Sequence, residues 1–407
     1  MKMFLILAWR NLWRSKRRTL ISMSSVLFAV MLAITLNAME RGSYERMIES
    51  MVMYSTGYVQ VQDVLFEEEP SMDNAMLFNG EVRDLLEEMS DQIGLWVPRI
   101  QNFALVATDD QTRGIMVMGV DPDRESRLNN LTDDVVLGEF IRAGDEEVVL
   151  GGGLAEILGV TVGDTITLLG QGFQGSTAAG LFPVKGIANL RLPEMNNNTL
   201  YMSLEAAQWF YMAEDRLTSL VIMPLNPKRS KAIAAELNNR LDSEWYRALH
   251  WEEMLADLLR LMKFDIAGTQ VMMFILYIVV AFGIYGTILT MIIERQREFG
   301  MLMSLGMKRG QLAAVCFIET IFISISGAIA GILIAVPVVL YFKVFPITFT
   351  GELADTFIDM GFEPIMPFSA DPWVFVSQAL VVMSIAIIIG LYPVYRVFTL
   401  NIMSVKR

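Results

Sequence analysis

The sequence predicts an α-helical membrane protein with four transmembrane helices and an α/β extracytoplasmic domain inserted between the first and second spans. The 407-residue chain is 54% hydrophobic and has a mean hydropathy of +0.44, which is too apolar for a soluble protein of this size. Its charged content of 19% is too high for a bundle of membrane helices alone. The net charge of −13 arises between Glu40 and Asp265, whereas the rest of the chain is basic. A membrane anchor joined to an acidic folded domain accounts for these observations.

Four apolar runs are each long enough to cross a bilayer, which takes about 20 residues. The third is the longest and contains Pro337, where we expect a kink. The first looks too long for the apolar core of a signal peptide and lacks a good cleavage site, so we expect an uncleaved anchor. The predicted transmembrane helices are 19–38, 269–293, 312–340 and 373–394. The regions between and beside them are an interfacial helix 1–18, the α/β domain 39–268, a cytoplasmic segment 294–311, a loop 341–372 and a tail 395–407.

Lysine and arginine residues predict the orientation of these spans. They are concentrated in the first 18 residues, in the segment 294–311 and at the end of the chain, whereas the loop 341–372 is acidic. By the positive-inside rule, both termini and the 294–311 segment are cytoplasmic, and the α/β domain lies outside. Trp9 and Trp13 lie four residues apart, on one face of a predicted amphipathic helix at the membrane surface.

The predicted α/β domain alternates short strand candidates with helix candidates. Strands are expected at 57–62, 146–150, 164–169, 181–188 and 218–225, and helices at 80–89, 204–212 and 228–241. The glycine- and serine-rich segment 170–180 lies between two of these strands. It therefore predicts the tip of a hairpin.

The chain has few residues that could carry out chemistry. Cys316 is its one cysteine and His250 its one histidine, so metal clusters and catalytic triads have almost no components. The segment "VVLGGGLAEILG" fails the dinucleotide spacing because Glu156 stands where a glycine is needed, and no phosphate-binding loop occurs in the chain. We therefore expect a non-catalytic subunit that binds no cofactor or metal. Its acidic domain makes nucleic acid an unexpected partner.

Two features stand out inside the third run. Glu319 is an acidic residue within an apolar span. It either takes part in function or is paired or protonated against protein near the cytoplasmic end of its helix. Gly327 and Gly331 form a small-residue pair, which allows close helix packing. The pattern does not distinguish a neighbour in the same chain from a partner subunit.

The segment "ERQREFGMLMSLGMKRGQL" lies between the second and third runs. Phe299, Leu302, Met303 and Leu305 can share part of one helix surface at i, i+3 and i+4 spacing, and Gly306 permits a sharp helix end. The spacing is compatible with a plain interfacial turn. It is equally compatible with a short helix that docks in a groove on a cytoplasmic protein.

The same segment resembles the Glu-[Ile/Phe]-Gly-x-Leu-x-x-Leu-Gly motif of the FtsX/MacB/LolC-LolE permeases of ABC transporters. The N-terminal "AWRNLWRSKRRTLIS" and the "VVLGGGLAEILGVTVGDTITL" segment are also similar to this family. The resemblance covers essentially the whole chain, and it implies a MacB-like periplasmic domain. It also implies a coupling helix that rests on an ATPase subunit, with candidates Glu298, Phe299, Gly300, Leu302, Met303, Leu305 and Gly306.

The resemblance also implies a function. It implies a bacterial inner-membrane permease that pairs with a second permease, as a homodimer or heterodimer, and with a cytoplasmic ATPase dimer that holds ATP and Mg. Lipoprotein release towards a periplasmic carrier is the favoured activity, while MacB-like efflux and FtsX-like mechanical regulation are alternatives. The substrate-contact candidates are Met39, Met47, Met51, Met262, Phe264 and Met272. The candidates for a carrier-binding hairpin are Gly170, Phe173, Gly175 and Gly180.

Overall fold

The computed structural model describes residues 2–14, 16–109, 111–359 and 363–399. The chain divides into two compact units. The helical unit comprises Met1–Arg46, Arg260–Thr348 and Ile365–Arg407, and the α/β unit comprises Met47–Leu259 and Phe349–Pro364. Residues 400–407 of the predicted cytoplasmic tail lie outside the described residues.

The helices, in chain order, are α1 (Lys2–Arg14), α2 (Lys16–Met51), α3 (Gly80–Glu88), α4 (Pro122–Asn129), α5 (Gly152–Leu158), α6 (Pro193–Asn198), α7 (Leu204–Phe210), α8 (Ser230–Arg240), α9 (Trp251–Met254), α10 (Ala256–Ser304), α11 (Arg309–Val344), α12 (Glu352–Asp359) and α13 (Pro372–Thr399). A π-helical turn, Val52–Thr56, follows α2 directly.

The strands, in chain order, are β1 (Val59–Asp63), β2 (Met76–Leu77), β3 (Ile93–Ala107), β4 (Thr112–Val120), β5 (Val135–Gly138), β6 (Val148–Gly151), β7 (Thr165–Gln171), β8 (Thr177–Ala188), β9 (Thr199–Ser203), β10 (Arg216–Leu217), β11 (Ser219–Pro224), β12 (Tyr246–His250), β13 (Ile347–Thr348) and β14 (Ile365–Met366).

Four helical stretches among the described residues are long and apolar enough to cross a membrane: Thr19–Thr56, Ala256–Gln296, Arg309–Val344 and Pro372–Tyr395. The first two extend into the range predicted for the α/β domain, because the polar residues beyond each apolar run continue the helix. In α2 this polar extension includes an i, i+4 ion pair between Arg41 and Glu45, with an N–O distance of 3.0 Å. Composition predicts where a helix can enter a bilayer, but it does not predict where the helix ends.

The loop predicted at 341–372 contains regular structure. The helix α11 runs on to Val344, and β13 pairs with β14 in a two-stranded antiparallel sheet. The helix α12 lies between those two strands in the chain and belongs to the α/β unit. An acidic composition therefore marked this connection as extramembrane without showing that it folds.

The glycine pair of α11 packs against α2 within the helical unit. A Cβ atom added at Gly327 would lie 2.7 Å from Val26 Cβ, and one added at Gly331 would lie 2.8 Å from Val30 Cβ. These separations are shorter than van der Waals contact, so only glycine allows the two helices to approach this closely. The close neighbour of this pair is thus a helix of the same chain.

The α/β unit is built around a mixed sheet with strand order β12-β1-β11-β3-β4-β9-β6-β8-β5, in which β7 also pairs with β3 and β8. Most neighbouring pairs are antiparallel, but β4–β9 and β6–β8 are parallel. A buried ion pair joins this sheet to α4, since Arg99 of β3 donates to both carboxylate oxygens of Glu125 at 2.6 and 2.8 Å. Both side chains are fully buried. The same guanidinium donates to the carbonyl oxygen of Ser55 at 2.7 Å and thereby fixes the π-helical turn.

Replacing Gly331 by alanine should destabilise the helical unit. The added methyl group would meet Val30 and the carbonyl oxygen of Leu27 at 2.9 Å or less, and such overpacking costs roughly 1–3 kcal/mol. Gly283→Ala in α10 is the matched control, because no atom lies within 4 Å of an added Cβ there. The check is thermal denaturation of the two purified variants in detergent. An equal or higher midpoint for Gly331→Ala than for Gly283→Ala would contradict the α2–α11 contact.

Candidate functional site

The segment between the second and third spans is not a separate helix. The helix α10 continues without a break to Ser304, and α11 begins at Arg309. A glycine inside a helix costs only about 1 kcal/mol of stability relative to alanine, so Gly300 does not end α10. The chain turns at Gly306, whose φ of +97° lies in a region that favours glycine. The expected coupling helix is therefore the last turns of α10 followed by a tight turn.

A buried charge pair holds these last turns in place. Glu319 of α11 is fully buried, and its carboxylate accepts a hydrogen bond from the guanidinium of Arg295 in α10. Its other oxygen accepts from Asn11 Nδ2 of α1 at 2.9 Å. Glu319 is thus paired against protein, in keeping with the second of the two sequence interpretations. Its partner Arg295 was missed by sequence reasoning, because nothing in the sequence brings positions 295 and 319 together.

The charge pair continues to the surface through Glu298. Arg295 Nε lies 3.3 Å from one carboxylate oxygen of Glu298, and Arg14 Nη2 lies 2.5 Å from the other. Arg14 is 64% exposed and Glu298 is 39% exposed, whereas Glu319 and Arg295 are buried. The network therefore links α1, α10 and α11 from the interior of the helical unit to its surface.

Part of the predicted coupling face packs against the helical unit itself and is not exposed. Phe299 is only 1% exposed and packs in the core of the helical unit, with the Arg295 guanidinium 5.4 Å from its ring centre. Leu302 and Met303 are partly buried against the same core. The i, i+3, i+4 spacing marks the face of α10 that packs on its own unit, and this is the usual meaning of such a stripe. Phe299 is thus unavailable to a partner.

Two apolar side chains of this segment do reach the surface. Leu305 is 78% exposed and Met301 is 57% exposed. They are four residues apart, at the end of α10 and the start of the turn, so they lie on the same side of the helix end. Met301 stood in a variable place of the sequence motif and was not among the predicted contacts. These two residues, here called the 301/305 patch, are the surface that this segment presents.

The predicted substrate-contact residues do not form one surface within either unit. In the helical unit Met39 is partly buried against the core and Met262 is 7% exposed, whereas Phe264 and Met272 are 83% and 72% exposed. Met47 and Met51 belong to the α/β unit, where both are half-buried. Burial removes Met262 from the candidates for direct contact.

The hairpin tip at 170–180 folds back onto the α/β unit. The backbone N–H of Phe173 donates to the carbonyl oxygen of Tyr211 at 2.8 Å, and the guanidinium of Arg216 lies 4.1 Å from the Phe173 ring centre. Phe173, the large apolar residue of the predicted carrier-binding hairpin, is thus half-buried, because the Arg216 guanidinium and the apolar core of the α/β unit cover part of its ring. Gly175 has a φ of +69° in the turn.

The two outer glycines of this tip lie in close packing. A Cβ at Gly170 would meet Tyr211 Cε1 at 3.4 Å, and one at Gly180 would meet the ring of Phe182 at 2.7 Å. They therefore shape the base of the hairpin, where both are half-buried.

The described residues include no group of three or more His, Cys, Asp or Glu side chains that could hold a metal ion. The imidazole of His250 is buried in the α/β unit, where its Nε2 lies 2.9 Å from the hydroxyl oxygen of Ser230. A single buried contact of this kind is typical of a structural histidine.

Replacing one member of the Arg295–Glu319 pair should lower the stability of the protein far more than replacing both. Glu319→Leu leaves the buried Arg295 guanidinium with only its 3.3 Å contact to Glu298, and Arg295→Met leaves the Glu319 carboxylate with the Asn11 amide but without its guanidinium. Breaking a buried ion pair in this way costs about 3–5 kcal/mol. The double variant should recover much of this loss, because it buries no charge. Arg14→Ala is the control, since its exposed ion pair with Glu298 contributes about 0–1 kcal/mol. Denaturation midpoints of the four purified proteins test the pairing, which a double variant less stable than both single variants would contradict.

Comparison with known proteins identifies both parts of the chain. The family model "MacB-like periplasmic core domain" matches residues 19–240, and the model "FtsX-like permease C-terminal" matches residues 270–402. Two curated relatives are named "Lipoprotein-releasing system transmembrane protein LolC". The protein of Neisseria meningitidis serogroup B is 23% identical over 267 residues, covering 62% of this chain and 63% of the relative. The protein of Xylella fastidiosa is 23% identical over 335 residues, covering 79% and 78%. The chain thus spans slightly less than two thirds of the length of the Neisseria relative.

Two solved structures with similarity to this chain are extracytoplasmic domains. The periplasmic region of MacB from Actinobacillus actinomycetemcomitans aligns with a TM-score of 0.35 at 10% identity, covering 52% of this chain and 97% of that chain. The extracellular domain of the noncanonic ABC-type transporter YknZ from Gram-positive bacteria aligns with a TM-score of 0.33 at 12% identity, covering 47% and 99%.

The MacB-like match spans more than half of the chain, and the FtsX-like match spans the last three apolar helices. The chain belongs to the FtsX/MacB/LolC-LolE family of ABC transporter permeases.

Proposed function

We propose that this chain is the permease subunit of a lipoprotein-releasing ABC transporter in the bacterial inner membrane. A separate cytoplasmic ATPase dimer hydrolyses ATP with Mg, and the permease uses this energy to extract lipoproteins from the membrane towards a periplasmic carrier. The chain itself is non-catalytic and works with a second permease. Support comes from its family and from relatives named for lipoprotein release. Both termini and the turn at 305–308 face the cytoplasm in this proposal, as the distribution of basic residues predicts.

The observation that carries the coupling step of this proposal is the 301/305 patch. Its two apolar side chains are exposed at the tip of a helix whose last turns are fixed by Phe299 in the core and by the Arg295–Glu319 pair. An exposed apolar patch on a rigid support suits a helix-in-groove contact with another protein. A partner that moves the patch moves α1 and α11 too, because the charge network joins all three helices.

A second candidate function is MacB-like efflux of a periplasmic peptide, toxin or drug. The match of the MacB-like periplasmic core over more than half of the chain favours it. FtsX-like mechanical regulation of another protein shares the same coupling step. Both alternatives keep the ATPase contact at the 301/305 patch and differ from the first proposal in the cargo.

Leu305→Asp should weaken binding of the ATPase and reduce lipoprotein release. A carboxylate placed in an apolar contact loses hydration, which costs several kcal/mol without a partner. Leu302→Asp is a poorer probe, because Leu302 packs against the core and its replacement would also disturb folding. Co-purification of the ATPase with the tagged permease, followed by an assay of lipoprotein release, measures both effects.

Leu225→Asp in the α/β unit is the matched control for this experiment. Leu225 is also an exposed leucine, at 64% against 78% for Leu305, and it lies outside the helical unit. It should leave ATPase binding unchanged. Full co-purification of the ATPase with Leu305→Asp would remove the 301/305 patch as the coupling surface.

A further inference from the structure

One face of the curled sheet in the α/β unit carries apolar side chains where polar ones are expected. Along β3, Phe103 and Leu105 are 70% and 48% exposed and alternate with buried residues. Leu169 of β7 lies directly opposite Leu105 and is 42% exposed, and Leu181 of β8, 71% exposed, lies diagonally across from Leu169. Solvated sheet faces normally carry polar side chains, so a contiguous apolar strip marks a binding surface. We call these four residues the apolar strip.

The apolar strip leads into a cavity of about 480 Å³. Phe103 lies at the junction, since it belongs to the strip and also lines the cavity. In the sheet register Phe103 stands opposite Met116, and Leu105 stands opposite Gly114, so these cavity residues share the face of the strip. The volume falls within the range of about 300–1,000 Å³ that ligand pockets occupy.

The lining of this cavity is mixed, with eight apolar residues and six polar ones: Tyr54, Ser55, Gln101, Glu194, Asn198 and Thr199. It includes four methionines, Met51, Met116, Met118 and Met195, whose flexible and polarizable side chains accommodate irregular apolar ligands. Among the described lining residues Glu194 alone carries a charge. A negative charge at this position disfavours phosphate and other anionic groups, and the methionines offer contacts to an uncharged apolar chain.

One wall of the cavity is formed by the π-helical turn Val52–Thr56, which contributes Tyr54 and Ser55. The buried Arg99 guanidinium fixes this wall by its hydrogen bond to the carbonyl oxygen of Ser55. Single π-turns of this kind are frequent at functional sites. The wall is therefore held in place before any ligand arrives.

We infer that the cavity and the apolar strip form a binding site for one acyl chain of the lipoprotein substrate. This inference rests on the proposed function and adds a site within the periplasmic domain to it. The methylene chain enters the cavity beside Met116 and Met195, and the strip covers the part that remains outside. Of the substrate-contact residues predicted from sequence, Met51 is the one that lines this site.

Gly114 offers a way to fill the cavity without strain. It lines the cavity, and an added Cβ atom would meet no other atom within 4 Å. Gly114→Leu therefore places an apolar side chain in space that the ligand needs. Gly80→Leu is the matched control, because Gly80 has equally open surroundings and lies at the start of α3, away from the cavity.

The test uses the full-length permease in complex with its ATPase. The probe is a synthetic lipopeptide with an acylated N-terminal cysteine, one acyl chain of which ends in a photoactivatable diazirine. After illumination, mass spectrometry locates the labelled peptides in the wild-type complex and in both variants. Denaturation midpoints show that the variants are folded, and release of native lipoproteins is measured in parallel.

We expect label in the peptides that contain Phe103 and Met116. The label should fall about tenfold or more in Gly114→Leu and stay unchanged in Gly80→Leu. The new leucine side chain displaces a leucine-sized part of the acyl chain, and losing that buried contact lowers the affinity at least tenfold. The acyl-chain site would be overturned by label confined to α2 or α10, by no label at all, or by equal label in Gly114→Leu. In each of these cases, lipoprotein release would still support the proposed function. A complex that releases no lipoprotein would overturn both.

Discussion

The buried pair of Arg295 and Glu319 is the interaction on which the packing of α1, α10 and α11 beside the 305–308 turn depends. A carboxylate that is fully buried in an apolar helix is costly to keep unless it is paired and hydrogen-bonded. Here the guanidinium of α10 and the Asn11 amide of α1 satisfy it together. Because Glu319 and its two partners come from three helices, the pair fixes the position of α10 at the level of Phe299. The exposed end of that helix, with Met301 and Leu305, is thereby held as a firm surface.

The sequence predicted the parts of this site that depend on local pattern, and it could not predict those that depend on partners. For Glu319 the sequence offered two interpretations, a functional role or pairing against protein, and it marked Gly327 and Gly331 as a close-packing pair. The orientation of Phe299 was not predictable from spacing, since an apolar stripe looks the same whether its own unit or another protein covers it. The pairing with Arg295 depends on how α10 and α11 pack, which one sequence does not reveal.

In the α/β unit the limits of prediction have a different origin. The long strands β3 and β4 were not predicted; in β3, Pro98 argues against a strand interior, and Arg99, Gln101 and Asn102 interrupt the alternation. The hairpin tip was predicted, but the contact between Phe173 and Arg216 was not, because these two residues lie far apart in the sequence. The cavity beside Met116 could not be foreseen at all, because it depends on cross-strand register that places Phe103 and Gly114 on one face.

The central claim is that this permease and its ATPase together hold an acylated protein and release it when ATP is added. The most direct measurement purifies the chain with its associated ATPase in mild detergent without nucleotide, and identifies the bound material by mass spectrometry before and after addition of ATP and Mg. The account predicts an acylated lipoprotein that remains bound without nucleotide and leaves on addition of ATP. An empty complex, or one that holds an unacylated peptide or a small molecule, would contradict it.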